Sequence, residues 1–155
     1  MKKAKLFLSM LLFAIATTGI QAGTPALGDV LAKDAKPENG KKYYIYADTY
    51  QNGNYVNRYL YNNSGTLTMN TGVNETDDNY VWLCAVSGDK YTFQNVGDNT
   101  RYLGHKALST SAYNFTLGKV AATHAGTTIW SDAAERYLVT KNDGTTFDQA
   151  NRTYN

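Results

Sequence analysis

The stretch of sequence that indicates the fold is residues 82–103, which read WLCAVSGDKYTFQNVGDNTRYL. Two segments rich in aromatic and β-branched side chains flank a Ser-Gly-Asp turn, and a Gly-Asp-Asn turn precedes Arg-Tyr-Leu. Such segments favour β-strands, and short glycine-containing connections favour hairpins. Much of the remaining chain repeats this pattern.

The repeat becomes visible when the sequence is shifted by 48 positions, which places Tyr43 on Tyr91 and Trp82 on Trp130. The first two Arg-Tyr-Leu motifs are 43 positions apart instead, because the first hairpin of copy one is longer by five residues. The loop at 104–114 in copy two is longer by five in turn. A third Arg-Tyr-Leu opens at residue 136, so we expect three repeats. Their approximate bounds are 41–86, 87–133 and 134–155, the last incomplete.

Residues 1–22 have the layout of a secretory signal peptide. Three lysines precede an apolar run at 6–16, and small and polar residues follow up to Ala22. The apolar run is shorter than the roughly 20 residues that a membrane-spanning helix needs. Cleavage after Ala22 is therefore favoured over a membrane span. The only cysteine is Cys84, which excludes a lipoprotein, so we expect a protein that is secreted, periplasmic or on the cell surface.

Removal of this segment would leave 133 residues with a net charge of about −1, since twelve Lys and Arg would face 13 Asp and Glu. A nucleic-acid partner is not expected, because such binding needs a basic surface. With one cysteine no internal disulfide is available, so a packed core must stabilise the domain. Residues 23–40 contain both prolines and no aromatic side chain, which predicts a leader or linker before a domain at 41–155.

Beyond residue 40, segments rich in Tyr, Thr, Val and Phe alternate with Gly- and Asn-containing turns, and no window has a helical period. The sequence therefore predicts an all-β domain. The ten predicted strands are 42–47, 57–61, 66–70, 80–86, 90–95, 101–105, 115–120, 127–130, 136–141 and 146–149. The side chains expected in the core are Trp82, Tyr91, Phe93, Leu103, Phe115, Leu117 and Trp130.

Over about residues 40–155 the chain resembles the ricin-type β-trefoil lectin domains of secreted bacterial proteins. The carriers are Gly-Lys-Lys-Tyr-Tyr-Ile at 40–45, Asp-Lys-Tyr-Thr-Phe-Gln-Asn at 89–95, Arg-Tyr-Leu-Gly at 101–104 and the two tryptophans. The Gln-x-Trp motif of that family lacks its glutamine in both copies, which read Tyr-Val-Trp and Thr-Ile-Trp. The resemblance implies a β-trefoil, in which six strands build a barrel and three hairpins cap it, and a carbohydrate-binding module.

In the resembled family each repeat holds a shallow sugar site with an acidic and an aromatic residue. An aromatic ring contacts the C–H face of a sugar, and carboxylates or amides bind its hydroxyls. Copy three offers Asp148, Gln149, Asn151 and Tyr154, copy two offers His105, Tyr113 and Asn114, and copy one offers only Asn62 and Asn63. Copy three is the first candidate because it has the acid, although an ordinary surface turn explains its residues equally well.

Catalytic, metal and cofactor sites are not predicted. His105 and His124 are 19 residues apart and have no partner at metal-ligand spacing. Cys84 lies on a predicted core strand, which favours a buried, inert thiol over a nucleophile. The acidic stretch 74–79 fits a solvated turn better than a calcium loop.

Two functions of different classes remain open. The first is a non-catalytic carbohydrate-binding module, whose glycan or polysaccharide partner would bring a secreted glycan-processing enzyme or a surface protein to its substrate. The second is a structural or protein-interaction trefoil whose sugar sites have decayed. Copy three lacks its third and fourth strands and its tryptophan, so we expect a fragment that continues past Asn155. About 20 further residues with an aromatic near position ~176 would complete the repeat, and a C-terminal catalytic domain is one form of that continuation.

Overall fold

The computed structural model describes residues 4–5, 11–15, 31–51, 53–119, 128–140 and 147–150. They form β-strands and one short 3₁₀ helix, Asp78–Tyr80, which confirms the all-β prediction. No helix in this part of the chain is long and apolar enough to cross a membrane. The strands are β1 (Ala4–Lys5), β2 (Leu11–Ile15), β3 (Lys42–Gln51), β4 (Asn54–Asn63), β5 (Thr66–Asn70), β6 (Val81–Ser87), β7 (Lys90–Asn95), β8 (Tyr102–Leu103), β9 (Leu108–Ser109), β10 (Phe115–Leu117), β11 (Ile129–Ser131), β12 (Arg136–Thr140) and β13 (Phe147–Ala150).

The strands form one antiparallel sheet in the order β1-β2-β3-β6-β7-β10-β11-β12-β13. Four strands lie outside this order. β4 pairs with β3 and with β5, and β8 pairs with β7 and with β9. The sheet curls into a half-barrel, and β12 comes close to β3 although the two are not neighbours in the strand order. Twist of this kind is inherent to β-sheets, and here it encloses one face.

The enclosed face carries the main hydrophobic core. Along β7, Tyr91, Phe93 and Asn95 are buried while the residues between them are partly exposed, as the two-residue period of a strand requires. The buried core residues are Leu31, Tyr43, Ile45, Ala47, Leu60, Leu67, Met69, Trp82, Cys84, Tyr91, Phe93, Leu103, Phe115, Leu117, Ile129 and Leu138. Six of the seven side chains predicted for the core are in this cluster; Trp130 is the exception.

The Arg-Tyr-Leu motifs contribute to the core in the same way. Their leucines, Leu60, Leu103 and Leu138, are almost fully buried and belong to the one main cluster. Tyr59 and Tyr137 precede two of these leucines and lie in separate clusters, because successive residues of a strand face opposite sides of the sheet. The larger of these clusters consists of Tyr44, Tyr46, Tyr59, Tyr80 and Val81.

The two longer copies of the repeat pair their strands differently. In copy one, β3 pairs directly with β6, and Tyr43 lies opposite Trp82. In copy two, β10 lies between β7 and β11, so that Tyr91 is opposite Phe115 and Trp130 is opposite Thr116. The third strand of the repeat therefore has different neighbours in the two copies, and Tyr43 and Tyr91 have different cross-strand partners.

The prediction that Trp130 fills the core is wrong. Its neighbours Ile129 and Ser131 are buried, and alternation along the strand directs Trp130 to the other face, where it is half-buried. There Trp130 and Tyr137 make an edge-to-face contact with ring centroids 4.8 Å apart. The Lys119 ammonium lies 3.4 Å from the centre of the Trp130 ring, which is a cation–π contact.

Part of the predicted leader, residues 31–40, contacts the sheet. Leu31 is 8% exposed and belongs to the main core cluster. The N–H of Gly40 donates to the carbonyl oxygen of Cys84 at 2.8 Å, which ties the end of the segment to β6. These residues therefore contribute to the folded domain, whereas residues 23–30 lie outside the described part of the chain.

The predicted signal peptide contains β1 and β2. In the full chain, β2 pairs with β3 in antiparallel register, with Leu12 opposite Ile45 and Ala14 opposite Tyr43. The predicted cleavage bond after Ala22 lies outside the described residues, so the signal peptide stays a prediction.

Candidate functional site

A cleft of about 400 Å³ lies beside the short hairpin of β8 and β9. Leu103 pairs with Leu108 in this hairpin, and the N–H of Gly104 donates to the carbonyl oxygen of Ala107 at 3.0 Å. A Cβ atom on residue 104 would lie only 2.5 Å from that oxygen. The tight connection therefore requires glycine, and it fixes the residues that follow at the mouth of the cleft.

Side chains with hydrogen-bonding or aromatic groups line the cleft. The ring centroids of His105 and Tyr113 are 5.3 Å apart, with an angle of 44° between the ring planes. Tyr113 also packs against the main core cluster, which limits the movement of its ring. The polar and aromatic lining residues are Arg101, His105, Lys106, Ser109, Thr110 and Tyr113.

Arg101 is oriented by a neighbouring carboxylate. Its Nε lies 3.7 Å from one oxygen of Asp98. The other oxygen accepts hydrogen bonds from the hydroxyl and the N–H of Thr100, at 2.6 and 3.0 Å. These two hydrogen bonds, with a smaller contribution from Arg101, hold the pKa of the Asp98 carboxyl below its ordinary value. Asp98 is therefore ionised beside the guanidinium at neutral pH.

Two of the three residues predicted for copy two line this cleft. His105 and Tyr113 are brought together across it, although they are eight positions apart in the sequence. Asn114 is exposed and is not among the lining residues. Its backbone oxygen accepts a hydrogen bond from the N–H of Asp132 at 3.3 Å, which joins the start of β10 to the end of β11.

The sequence reasoning missed the other polar side chains of the cleft, namely Arg101, Lys106, Ser109 and Thr110. In the sequence, Arg101 is distinguished only as part of the repeated Arg-Tyr-Leu motif. The other three lie in the loop at 104–114 that is five residues longer in copy two. That extra length was the signal that could have found them, because loops attached to a rigid sheet often carry binding residues.

The copy-three candidates are described only in part. Asp148 and Gln149 lie in β13, which pairs with β12. Asn151 and Tyr154 lie outside the described residues. The predicted copy-three sugar site therefore remains a prediction.

Asn62, the candidate of copy one, has a structural role. It is 2% exposed, and its amide nitrogen donates to the Oδ1 of Asn95 at 3.0 Å. Its Oδ1 accepts from the N–H of Gly65 at 2.8 Å, which closes the turn between β4 and β5. A buried amide with both ends bonded is not accessible to a sugar, so of the copy-one pair only Asn63 is exposed.

The Cys84 thiol is buried, as predicted. Burial raises its pKa from the ordinary value of 9.0 to about 12, so the nucleophilic thiolate is not populated at neutral pH. His124 lies outside the described residues.

Polar side chains of the acidic stretch at 74–79 accept hydrogen bonds from backbone N–H groups of the same stretch. The Oδ1 of Asn74 accepts from the N–H of Thr76 at 3.1 Å, and the Oδ1 of Asp77 accepts from the N–H of Asn79 at 2.9 Å. Asp77 thereby caps the 3₁₀ helix. Across the described part of the chain, three or more His, Cys, Asp or Glu side chains do not come together as a metal site would require.

Comparison with protein-family models, with curated proteins and with solved structures gives no match for this chain. The functional assignment therefore depends on the chemistry of the cleft and on the resemblance of the sequence.

Proposed function

We propose that this chain is a non-catalytic carbohydrate-binding module of an exported protein, and that the cleft beside β8 and β9 is its sugar site. The observation that carries the proposal is the combination of the Tyr113 and His105 rings with several hydrogen-bonding side chains in one open cleft. An aromatic face covers the C–H surface of a sugar ring, while polar groups bind its hydroxyls. A module of this kind would keep an attached enzyme or surface protein close to a polysaccharide.

The proposal includes a β-trefoil arrangement of the three repeats and removal of residues 1–22 on export. The repeat is supported by the shared burial of the three Arg-Tyr-Leu leucines in one core. The export signal is supported by the lysines and the apolar run at the N-terminus.

Retardation of the protein in native gels that contain a panel of polysaccharides tests the proposed function. We expect retention by at least one polysaccharide, and Tyr113→Leu should weaken it by about 1 kcal/mol, roughly fivefold, because the aromatic contact is lost. Tyr61→Leu is the matched control, since Tyr61 is also partly buried but packs against the separate tyrosine cluster. Equal retention of both variants would contradict the assignment to this cleft.

The copy-three candidate is tested in the same gels. If copy three binds, Asp148→Ala should weaken retention by roughly 1–3 kcal/mol, because sugar hydroxyls lose their partner. Unchanged retention of this variant would remove Asp148 from the site.

A protein-interaction role is the second candidate. It is favoured by the buried structural role of Asn62, which leaves Asn63 as the one accessible amide of the copy-one pair. Failure of every polysaccharide to retain the protein would favour this alternative.

A further inference from the structure

Three side chains form a row across the outer face of β10, β11 and β12. Thr116 lies opposite Trp130 in the register of the sheet, and Trp130 lies opposite Tyr137. Cross-strand partners project from the same face, with their Cβ atoms about 4.5–5.5 Å apart. Trp130 is half-buried, so part of its side chain remains accessible. The row therefore presents an indole with a hydroxyl beside it, and none of its members lines the cleft beside β8 and β9.

A carboxylate adjoins this row. The hydroxyl of Thr116 donates to the Oδ1 of Asp132 at 2.8 Å and accepts from the Lys90 ammonium at 2.8 Å. The same ammonium lies 3.1 Å from the other carboxylate oxygen, Oδ2, which is buried. These contacts hold the carboxylate in one orientation. Since a carboxylate oxygen accepts two hydrogen bonds, Oδ1 has a second acceptor position for a hydroxyl of a ligand.

The Lys119 ammonium covers the Trp130 ring. It lies 3.4 Å from the ring centre, and Lys119 is itself exposed. The preceding residue turns the chain at the end of β10, because Gly118 has φ of +69° and its N–H donates to the carbonyl oxygen of Thr128 at 2.9 Å. A cation–π contact at an exposed position is weak. A ligand that stacks on the indole can therefore displace the ammonium.

We propose that this outer face is a second glycan site, in which a sugar ring stacks on Trp130 in place of the Lys119 ammonium. The sugar hydroxyls bind Asp132 and Thr116, which supplies the pairing of an aromatic ring with a carboxylate. The ligand class is a linear β-linked glycan with equatorial hydroxyls, because such sugar rings expose flat C–H faces and such chains lie flat on an open sheet. The inference rests on the proposed carbohydrate-binding function and adds a second contact surface to it.

Titration of the full chain with cellohexaose, followed by tryptophan fluorescence, tests the site. The chain has two tryptophans and Trp82 is fully buried, so a change of emission on binding reports on Trp130. We expect a saturable change that persists in Tyr113→Leu, because Tyr113 belongs to the cleft. Maltohexaose, whose α-linked chain is coiled, should give a much smaller change. Equal responses to the two oligosaccharides would overturn the preference for a flat chain, and no response to cellohexaose would overturn the site.

Lys119→Gln tests the displacement of the ammonium. It should raise the affinity for cellohexaose roughly threefold, because the ligand no longer has to break a cation–π contact. Lys36→Gln is the matched control, since it removes the same charge from an exposed position in another segment and should leave the affinity unchanged. An affinity that stays the same or falls in Lys119→Gln would overturn the displacement.

Trp130→Leu tests the stacking contact. It should weaken the binding of cellohexaose at least fivefold in calorimetric titration. Because Trp130 also packs against Tyr137, urea denaturation establishes whether the variant is folded. If it is not, Lys119→Gln decides the question, since it changes an exposed side chain.

The polysaccharide gels separate failure of this site from failure of the proposed function. Retention that Tyr113→Leu weakens and Trp130→Leu leaves unchanged would overturn the second site and leave the carbohydrate-binding function intact. Absence of retention by every polysaccharide would overturn both.

Discussion

Two buried asparagines show how single side chains connect distant turns of this sheet. Asn95 accepts from the amide of Asn62 and from the N–H of Asp98, at 3.0 and 2.9 Å. It also donates to the carbonyl oxygens of Asn79 and Val81. One side chain thus joins the turn after β4, the 3₁₀ helix and the turn after β7.

Asn95→Ala should lower the free energy of unfolding by about 3 kcal/mol, because several buried groups lose their partner and each unpaired group costs about 1–3 kcal/mol. Urea denaturation monitored by tryptophan fluorescence measures this change. The control is Asn63→Ala, which alters an exposed asparagine next to Asn62 and should be close to neutral. A similar decrease in the free energy of unfolding for the two variants would show that the hydrogen bonds of Asn95 do not stabilise the protein.

The Cys84 thiol should make stability depend on alkaline pH. Its pKa is raised by burial from 9.0 to about 12, so above pH 9 the unfolded chain releases a proton that the folded chain keeps. The contribution of the thiol is therefore full below pH 9 and is lost as the pH rises towards 12. Between pH 8.5 and 10 the free energy of unfolding should fall by about 1 kcal/mol from this group.

The matched variant is Cys84→Ala, in which this part of the decrease should disappear. Burial also raises the pKa of Tyr43 and Tyr44 above the ordinary 10.0. Their contributions to the loss of stability therefore begin at higher pH than that of the Cys84 thiol. Urea denaturation at several pH values separates the pH range in which the thiol acts from the range in which the tyrosines act. Parallel pH profiles for the parent and Cys84→Ala would contradict the role of the thiol.

Residue burial was predictable from the sequence at most of the large apolar positions of the repeat. Trp82, Phe93 and Leu103 were predicted in the core on that basis, and the structure agrees. The residues of the cleft were harder to predict. Arg101 and Lys106 lie near His105 and Tyr113 only because of the conformation of the loop at 104–114. A period of two residues carries no information about such a loop.

At the scale of elements, strand positions were predicted best where both ends carry turn residues. The predicted bounds of β5 and β7 agree with the structure. The predicted strand at 115–120 ends at Leu117 instead, and Gly118 follows with φ of +69°. The two-residue strand β9 was missed, because so short a segment has no periodicity. Trp130 was misplaced because the repeat spacing does not determine which face of β11 is buried.

The hairpin of β6 and β7 offers a test of turn chemistry. Gly88 has φ of +62°, a conformation that strains an L-residue by about 1–2 kcal/mol. Gly88→Ala should therefore lower the free energy of unfolding by about 1 kcal/mol in urea denaturation. Gly72→Ala is the control, because both positions have open space for a Cβ atom and only Gly88 has a positive φ. Equal effects would contradict a conformational cause.

At the scale of the whole molecule, the core draws on residues from beyond the curled sheet. Leu31 comes from the segment that the sequence predicted as a leader or linker, and it is buried against the sheet. Leu31→Ala should lower the free energy of unfolding by about 2–3 kcal/mol, because it leaves a cavity in the core. Lys33→Ala, at an exposed position of the same segment, should be nearly neutral. Thermal and urea denaturation of the two variants measure the difference.

An unchanged stability of Leu31→Ala would mean that the segment is a linker after all. The segment was misread because it lacks aromatic residues and has no strand period, so composition alone separated it from the domain. Its contacts with the core are made by Leu31 and the partly buried Ala35, and backbone hydrogen bonds such as that from Gly40 to Cys84 add to them.

The pairing of β2 with β3 has a consequence for the route by which the protein would leave the cell. If residues 1–22 act as an export signal, the apolar segment Leu11–Ile15 must be recognised by a translocation machinery that accepts unfolded chains. In the folded chain that retains residues 1–22 the same five residues form a strand of the sheet. Folding and export would then compete for one segment, and the protein would have to remain unfolded until its N-terminus is engaged. Antiparallel sheets built from distant segments form slowly, which favours export in that competition.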